Sequence, residues 1–262
     1  LFIIFMVTIT LTEFNIFLGI MCIIAAIVFI ALYFVDAGYG IMYNKKWGPS
    51  VNNRTGWILM EAPVFIVMLV CWWFSDRKFE ITPLIIFLLF QAHYFQRSFI
   101  FPFLFKSKSK MPLSIMMMGV IFNTLNGLIQ GGWIFYLSPE NRYTTEWLHT
   151  PQFILGTIIF LCGMFINIQS DYIVRHLRKP GDTNHYLPKG GMFNYVTSAN
   201  YFGELVEWIG FAILTWSWAG AVFAIWTFAN LVPRANTIYK KYQKMFPEME
   251  HLKLKRVIPF IY

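Results

Sequence analysis

The sequence contains apolar runs long enough to cross a lipid bilayer, and this feature limits its fold more than any other. A helix needs about 20 mostly apolar residues to span roughly 30 Å of hydrocarbon. Seven runs approach or exceed that length, at residues 14–34, 57–74, 81–104, 112–136, 151–167, 200–216 and 218–232. The sequence therefore predicts an all-α integral membrane protein with seven transmembrane helices in a single membrane domain, residues 1–262.

The composition excludes most other classes of protein. Hydrophobic residues make up 57% of the chain and charged residues 13%, whereas soluble domains have about 45–50% apolar and about 25% charged residues. The first run is not typical of a signal peptide, because it is too long and no basic segment precedes it. We expect a monomer that contacts membrane lipid and binds no nucleic acid.

The charges of the connecting segments predict the orientation in the membrane. The connections after the first, third and fifth runs carry net charges of +2, +3 and +2, and those after the second and fourth carry 0 and −1. The tail from Arg234 to Arg256 has seven basic and two acidic residues, a net charge of +5. Since Lys and Arg accumulate in cytoplasmic loops, we expect the N-terminus outside and the C-terminus in the cytoplasm. The membrane would be the inner membrane of a bacterium or the ER membrane of a eukaryote.

A few ionisable residues lie inside the apolar runs, where charge is costly and usually functional. Glu61 lies in the second run, Arg97 in the third beside His93 and Tyr94, and Glu204 with Glu207 in the sixth. A simpler alternative is that Glu61 and Arg97 neutralise each other between helices or reach the interface.

Two polar helix faces flank the fifth connection. The first has residues at i, i+4, i+8 and i+11, namely Asn167, Asp171, Arg175 and Arg178, and the second has Asn200, Glu204 and Glu207 at i, i+4 and i+7. Pro180 and Gly181 are expected to end the first helix. Arginines bind phosphate, while carboxylates and amides bind sugar hydroxyls and carboxamides, so the pattern indicates a phosphorylated cofactor at the cytoplasmic rim. Solvated helix ends and anionic lipid would also account for part of the basic charge.

Common cofactor and catalytic motifs do not occur in the sequence. It contains no GxGxxG, GxxxxGK[ST], HExxH, GxSxG or CxxC. A nucleotide site would therefore not be of the Rossmann type, and no metal site is expected.

Several dense blocks of the sequence resemble those of one family, the steroid 5α-reductases (3-oxo-5α-steroid 4-dehydrogenases), with the type 2 isozyme and bacterial members as the expected near relatives. The resemblance extends from about Gly38 to the last residue. The blocks are Trp57-Ile-Leu-Met-Glu61-Ala-Pro, His93-Tyr-Phe-Gln-Arg97, Asn126-Gly-Leu-Ile-Gln130-Gly, the stretch from Gly163 to Gly181, the stretch from Leu187 to Trp208, Tyr242-Gln-Lys-Met-Phe-Pro and Ile258-Pro-Phe-Ile-Tyr262.

The resemblance implies NADPH-dependent reduction of the Δ4 double bond of a 3-oxo-Δ4-steroid, such as testosterone or progesterone, to the 5α-dihydrosteroid. Glu61 and Tyr94 would be catalytic and hold the C3 carbonyl while hydride reaches C5. Residues 14–136 would form the substrate cavity and residues 151–262 the half that binds NADPH. The positions that match cofactor contacts are Trp57, Arg97, Asn167, Asp171, Arg175, Arg178, Tyr186, Asn200, Glu204, Arg234 and Tyr242.

Other functions share parts of this pattern. A polyprenol reductase or a trans-2-enoyl-CoA reductase of the same superfamily would keep the NADPH half and change the apolar pocket. A SAM-dependent membrane methyltransferase would leave Glu61 and Tyr94 without a role, and a receptor or carrier would leave the polar faces unexplained. Met60 stands where the family usually has Gln, which leaves the substrate range open.

Overall fold

The computed structural model describes residues 8–36, 38, 40–105, 109–178, 182 and 184–262. It is mostly helical, at 74%. The long helices are α1 (Leu11–Ala31), α2 (Asn53–Trp73), α3 (Ile81–Phe95), α4 (Leu113–Gly132), α5 (Pro151–His176), α6 (Ala199–Thr215) and α7 (Trp218–Met245).

Among the described residues, five helical segments are long and apolar enough to cross a membrane. They are Leu11–Ala31, Asn53–Trp73, Ile81–Leu104, Leu113–Leu137 and Pro151–His176. Large apolar side chains such as Ile16, Ile23 and Ile27 are exposed along α1, as expected of a surface that faces lipid. The chain is therefore an integral membrane protein, while the count of seven spans and the orientation stay predictions.

Short irregular turns extend two of these segments. A π-helical turn, Gln96–Ile100, follows α3 and leads into the 3₁₀ turn Phe101–Leu104. A second π-helical turn, Trp133–Leu137, follows α4. The predicted runs at 81–104 and 112–136 therefore correspond to continuous helical segments, although their last turns are not α-helical.

The last predicted runs differ from the helices mainly at their C-terminal ends. Helix α5 continues past residue 167 to His176, as the polar pattern predicted. Helix α7 continues past residue 232 to Met245, with Pro233 in its interior. The end of the apolar run does not end the helix, because polar residues can also be helical. Pro180 and Gly181, which were expected to end α5, lie outside the described residues, as do three lysines counted in the charges of the third and fifth connections, Lys106, Lys108 and Lys179.

One pair of strands departs from the all-α prediction. Strand β1 (Ser50–Asn52) pairs antiparallel with β2 (Lys110–Pro112), in a register that places Val51 opposite Met111. Strands of three residues are too short for the alternation that identifies strands in a sequence. The pairing joins the chain just before α2 to the chain just before α4.

The described chain forms two compact units. The first contains the start of α1 up to Ile20, the helices between Gly38 and Ile154, and Ser217–Ala219. The second contains Met21–Ala37, Leu155–Trp216 and Gly220–Tyr262. Glu61, Tyr94, Trp57 and Arg97 belong to the first unit, and the other residues predicted to contact cofactor belong to the second.

Candidate active site

In the first unit, Glu61 and Tyr94 both accept hydrogen bonds from amides of α4. Asn123 Nδ2 donates to Glu61 Oε2 at 3.3 Å and to the Met60 carbonyl at 2.7 Å. Asn126 Nδ2 donates to the Tyr94 hydroxyl oxygen at 3.3 Å. Tyr94 is buried, with 3% of its surface exposed, so its hydroxyl lies in an environment where hydrogen bonds are electrostatically strong.

The amide row on α4 continues to Gln130. Gln130 Nε2 donates to Asn126 Oδ1 at 3.2 Å and to the Ala219 carbonyl at 2.9 Å. Both Asn126 and Gln130 are 1% exposed. These amides are not among the predicted site residues, although residues 123, 126 and 130 are spaced i, i+3 and i+7 and so lie on one face of a helix.

Arg97 lies between aromatic rings. Its guanidinium lies 4.7 Å from the centroid of the Trp57 ring and 4.4 Å from that of Phe101. With 7% of its surface exposed, the cation is stabilised by these ring faces in a largely desolvated position. Met60, one residue before Glu61, lies in an apolar cluster with Met111 and Met116.

In the second unit, α5 and α6 pack so closely that glycine is required at the contact. A Cβ atom added to Gly163 would lie 2.6 Å from Glu207 Cα and 2.7 Å from the Gly203 carbonyl oxygen. One at Gly156 would lie 2.7 Å from Leu214 Cα and 2.8 Å from the Gly210 carbonyl oxygen. The glycines are spaced by seven residues on each helix, which lets two antiparallel backbones approach along one line, as small residues do in membrane helix pairs.

This close packing brings the two predicted polar faces together. Asn167 Nδ2 donates to the Asn200 carbonyl at 2.9 Å, and Asn200 Nδ2 donates to Asp171 Oδ1 at 3.3 Å. Asn167 and Asp171 are buried, at 2% and 6% exposed. Glu204 follows Asn200 by one helical turn and is half-buried. The result is a compact set of amides and carboxylates near the end of α5.

The residues around the C-terminal end of α5 form a more exposed set. Arg175 Cζ lies 6.0 Å from the centroid of the Tyr172 ring. Arg178 Nη2 donates to His185 Nδ1 at 2.6 Å. Burial lowers the pKa of His185, and the charge of Arg178 lowers it further, so this imidazole stays neutral and can accept the bond.

Tyr186 lies on the same connection and is exposed. Its hydroxyl donates to Asp182 Oδ2 at 2.8 Å. The pKa of Asp182 is lowered by the backbone N–H of Asn184 and then by this phenol, and the same bond raises the pKa of Tyr186. The Asp182 carboxylate therefore orients the Tyr186 hydroxyl.

Arg234 and Tyr242 lie on α7. Arg234 Nη1 donates to Asn230 Oδ1 at 3.1 Å, and its guanidinium lies 5.3 Å from the centroid of the Tyr201 ring. Tyr242 packs against a small core of Leu187, Met249 and Leu254. Burial raises the pKa of Tyr242 to about 12, so the phenol keeps its proton at neutral pH.

A metal site needs several protein ligands close together. Within the described part of the chain, no group of three or more His, Cys, Asp or Glu side chains is placed to hold an ion. The polar sets described above consist of amides, carboxylates and arginines instead.

Comparisons with known proteins identify the family. A sequence model of the 3-oxo-5-alpha-steroid 4-dehydrogenase family matches residues 109–262, more than half of the chain. Human 3-oxo-5-alpha-steroid 4-dehydrogenase 1 is 40% identical over 84% of this chain and 86% of its own length. Pig 3-oxo-5-alpha-steroid 4-dehydrogenase 2 is 38% identical, with 91% and 94% covered, and Arabidopsis thaliana steroid 5-alpha-reductase DET2 is 36% identical, with 89% and 90% covered.

These similarities do not favour the type 2 isozyme, because the type 1 protein is at least as similar to this chain. They also give no support to a bacterial origin, since these three relatives come from two mammals and a plant. The predicted family itself is confirmed. With matches that cover nearly the whole chain at well above 30% identity, the protein belongs to the steroid 5α-reductase family of oxidoreductases.

Proposed function

We propose that the protein uses NADPH to reduce the Δ4 double bond of 3-oxo-Δ4-steroids, such as testosterone or progesterone, to 5α-dihydrosteroids. The observation that carries this proposal is the buried Tyr94 hydroxyl, held by an amide of α4. Glu61 accepts a bond from the same helix face. A phenol and a carboxyl group supported in this way can grip a ketone oxygen, which is what reduction of an enone requires.

The polar set of the second unit contains hydrogen-bonding groups of the kinds that NADPH would need. When bound, NADPH supplies a hydride to C5 of the steroid. The buried Asp171 carboxylate can accept bonds from ribose hydroxyls, while Asn167 and Asn200 can pair with sugar or carboxamide groups. Arg175 and Arg178, which are nearer the solvent, would bind phosphate. We assign supporting cofactor contacts to Trp57, Arg97, Tyr186, Glu204, Arg234 and Tyr242.

Tyr94 would stabilise the charge that develops on the substrate. Reduction at C5 leaves negative charge on the C3 oxygen, and the Tyr94 hydroxyl donates a hydrogen bond to that oxygen as the enolate forms. Glu61 would orient the phenol or, as a neutral acid in a desolvated site, donate a second hydrogen bond. The enolate then takes a proton at C4 from water or from a side chain, which completes the addition of hydrogen.

The protein's placement in the cell follows from the same proposal. Seven spans with a cytoplasmic C-terminus would put the basic rim on the side where NADPH is available. The protein would act as a monomer in the ER membrane or a bacterial inner membrane and take its steroid from the lipid phase.

The test is turnover by the purified protein in detergent. NADPH oxidation would be followed with testosterone and with progesterone, and the C5 configuration of the product determined by NMR. We expect a 5α product. Binding of NADPH with no steroid reduced would move the proposal to polyprenols or enoyl thioesters, and a protein that does not bind NADPH would refute it.

Tyr94→Phe separates chemistry from binding. Because the variant keeps the ring and loses only the donor, we expect kcat to fall about 10²–10³-fold, as when a donor to a developing oxyanion is removed. The affinity for NADPH, measured by quenching of protein fluorescence, should stay within about twofold of the wild-type value. Equal losses in both quantities would mean that Tyr94 has only a structural role.

A further inference from the structure

The hydrogen bonds of two buried amides on α4, Asn126 and Gln130, all have a defined donor and acceptor. The Ala219 carbonyl can only accept a hydrogen bond, so Gln130 must present its amide nitrogen to it, at 2.9 Å. The same nitrogen donates to Asn126 Oδ1 at 3.2 Å. One backbone carbonyl therefore fixes which way the Gln130 amide points.

The orientation of the Gln130 amide also determines the hydrogen bond between Asn126 and Tyr94. Because Asn126 Oδ1 accepts from Gln130, its Nδ2 is turned towards the Tyr94 hydroxyl, 3.3 Å away. An amide nitrogen can only donate, so the Tyr94 oxygen acts as the acceptor in this bond. The hydrogen of the phenol is therefore not used in this bond, and in any bond that this hydrogen makes Tyr94 is the donor. Hydrogen bonds linked in sequence also polarise one another, which strengthens that donation.

We propose that Asn126, held in place by Gln130, is a positioning residue that sets Tyr94 as a hydrogen-bond donor towards the ketone oxygen of the substrate. This inference rests on the proposed function, in which Tyr94 polarises the C3 carbonyl. It assigns the orientation of the donor to α4 rather than to Tyr94's own helix. If the Asn126 amide were reversed, its oxygen would accept the phenol hydrogen and compete with the substrate.

The proposal differs from a purely structural role in what it predicts. Buried amides that only stabilise helix packing would, when replaced, lower the melting temperature and leave the chemistry of the folded enzyme intact. Positioning residues would instead lower kcat and weaken the bond to the ketone in molecules that are still folded. The two roles can be separated by measuring both quantities in the same variants.

Two substitutions and one matched control test it. Asn126→Asp keeps the shape but replaces the donor by an acceptor, and Gln130→Met keeps the length but removes the donor. We expect kcat to fall about 10²-fold in the first and about tenfold in the second, with KM for the steroid and Kd for NADPH within about twofold of wild type. Thr124→Val is the control, because the Thr124 hydroxyl donates to the Val120 carbonyl of its own helix. This variant should keep the wild-type kcat.

A spectroscopic readout does not depend on turnover. The ultraviolet band of an enone moves to longer wavelength when its carbonyl accepts a strong hydrogen bond, and in the complex with oxidised NADP no reduction occurs. The shift of bound testosterone should be present in the wild type and in Thr124→Val and reduced in Gln130→Met. Because Gln130→Met carries no charge, it answers the question if Asn126→Asp does not fold.

The outcomes are distinct. Reduced kcat and a reduced band shift in variants that are still folded at the assay temperature support the proposal. Variants with the kcat and band shift of Thr124→Val would overturn it and leave the proposed function standing, since the wild type still reduces the steroid. A wild-type protein that neither reduces nor shifts the enone would overturn the proposed function and this inference with it.

Discussion

Substitution of Gly163 by Ala tests whether the α5–α6 contact holds the amide and carboxylate set together. A Cβ at this position would lie 2.6 Å from Glu207 Cα and 2.7 Å from the Gly203 carbonyl oxygen. Ordinary van der Waals contact begins at 3.4 Å. The backbone nitrogen of Glu207 lies closer still. All three obstacles are backbone atoms of α6, which cannot turn aside as a flexible side chain can, so the helices must separate by at least about 0.8 Å.

The magnitude follows from two opposing effects. Forced overpacking costs up to about 3 kcal/mol, and a gap of this size also removes a quarter to a half of the dispersion energy of neighbouring contacts. Replacing a helical Gly by Ala contributes about 1 kcal/mol in the stabilising direction. The net loss should be about 2 kcal/mol, which lowers the Tm by roughly 4–8 °C for a chain of this size.

The same movement should weaken cofactor binding. Asn167 Nδ2 lies 2.9 Å from the Asn200 carbonyl, and a further separation of about 0.8 Å exceeds hydrogen-bonding distance. We therefore expect Kd for NADPH to rise by roughly fivefold or more, as expected when one such bond of about 1 kcal/mol is lost.

Gly19→Ala is the matched control for Gly163→Ala. Gly19 is also inside an apolar helix, but an added Cβ there meets nothing within 4 Å. Its Tm should stay equal to that of the wild type or rise slightly, and its NADPH affinity should not change. If Gly163→Ala behaves like Gly19→Ala in both measurements, the close approach of α5 and α6 does not support the site and the reasoning is wrong.

Two further predictions concern the charged groups of the second unit. Asn200→Asp replaces the amide that donates to Asp171 Oδ1 by a second carboxylate. Because like charges so close repel each other, we expect Kd for NADPH to rise at least tenfold while KM for the steroid changes little. An unchanged Kd in a fluorescence titration would exclude this pair from the cofactor site. His185→Gln tests pH dependence: because the pKa of His185 is lowered in the folded state, the unfolded chain binds the proton first, and wild-type stability should fall as the pH drops below about 6.5. A series of Tm measurements from pH 8 downwards should show a smaller fall in His185→Gln, and parallel curves for the two proteins would refute the assignment.

The helical segments could be predicted well from the sequence because the bilayer imposes a length and a polarity that are visible in one dimension. The run at 81–104 coincides with Ile81–Leu104, and the run at 112–136 is within one residue of Leu113–Leu137. Helix ends outside the apolar stretch were less predictable. At α7 the hydropathy falls after residue 232, yet the helix continues through Pro233 to Met245, because the loss of apolar character does not itself end a helix.

The candidate site was predictable where one helix carries a periodic polar face. The spacing of Asn167 and Asp171 predicted that they lie on one helix face, and Asn200 was predicted on a second face; only the structure shows that the two faces are in contact. The amides of α4 were not predicted as site residues, because the prediction inside the apolar runs was based on ionisable side chains, and Asn and Gln are uncharged. Their partners, the Tyr94 hydroxyl and the Ala219 carbonyl, are distant in sequence, so only the folded chain shows why a buried amide is needed.

The four glycines of α5 and α6 connect a pattern in the sequence with a contact in the folded chain. Gly156 and Gly163 on one helix, and Gly203 and Gly210 on the other, have the same spacing of seven residues, so the sequence already contains the line along which the helices meet. Since the backbones touch there, the helices have little freedom to slide or rotate about each other. A contact fixed at Gly163 and Gly203 determines which residues face each other one turn further on, where Asn167 donates to Asn200. The geometry of the polar set therefore depends on residues that have no side chain.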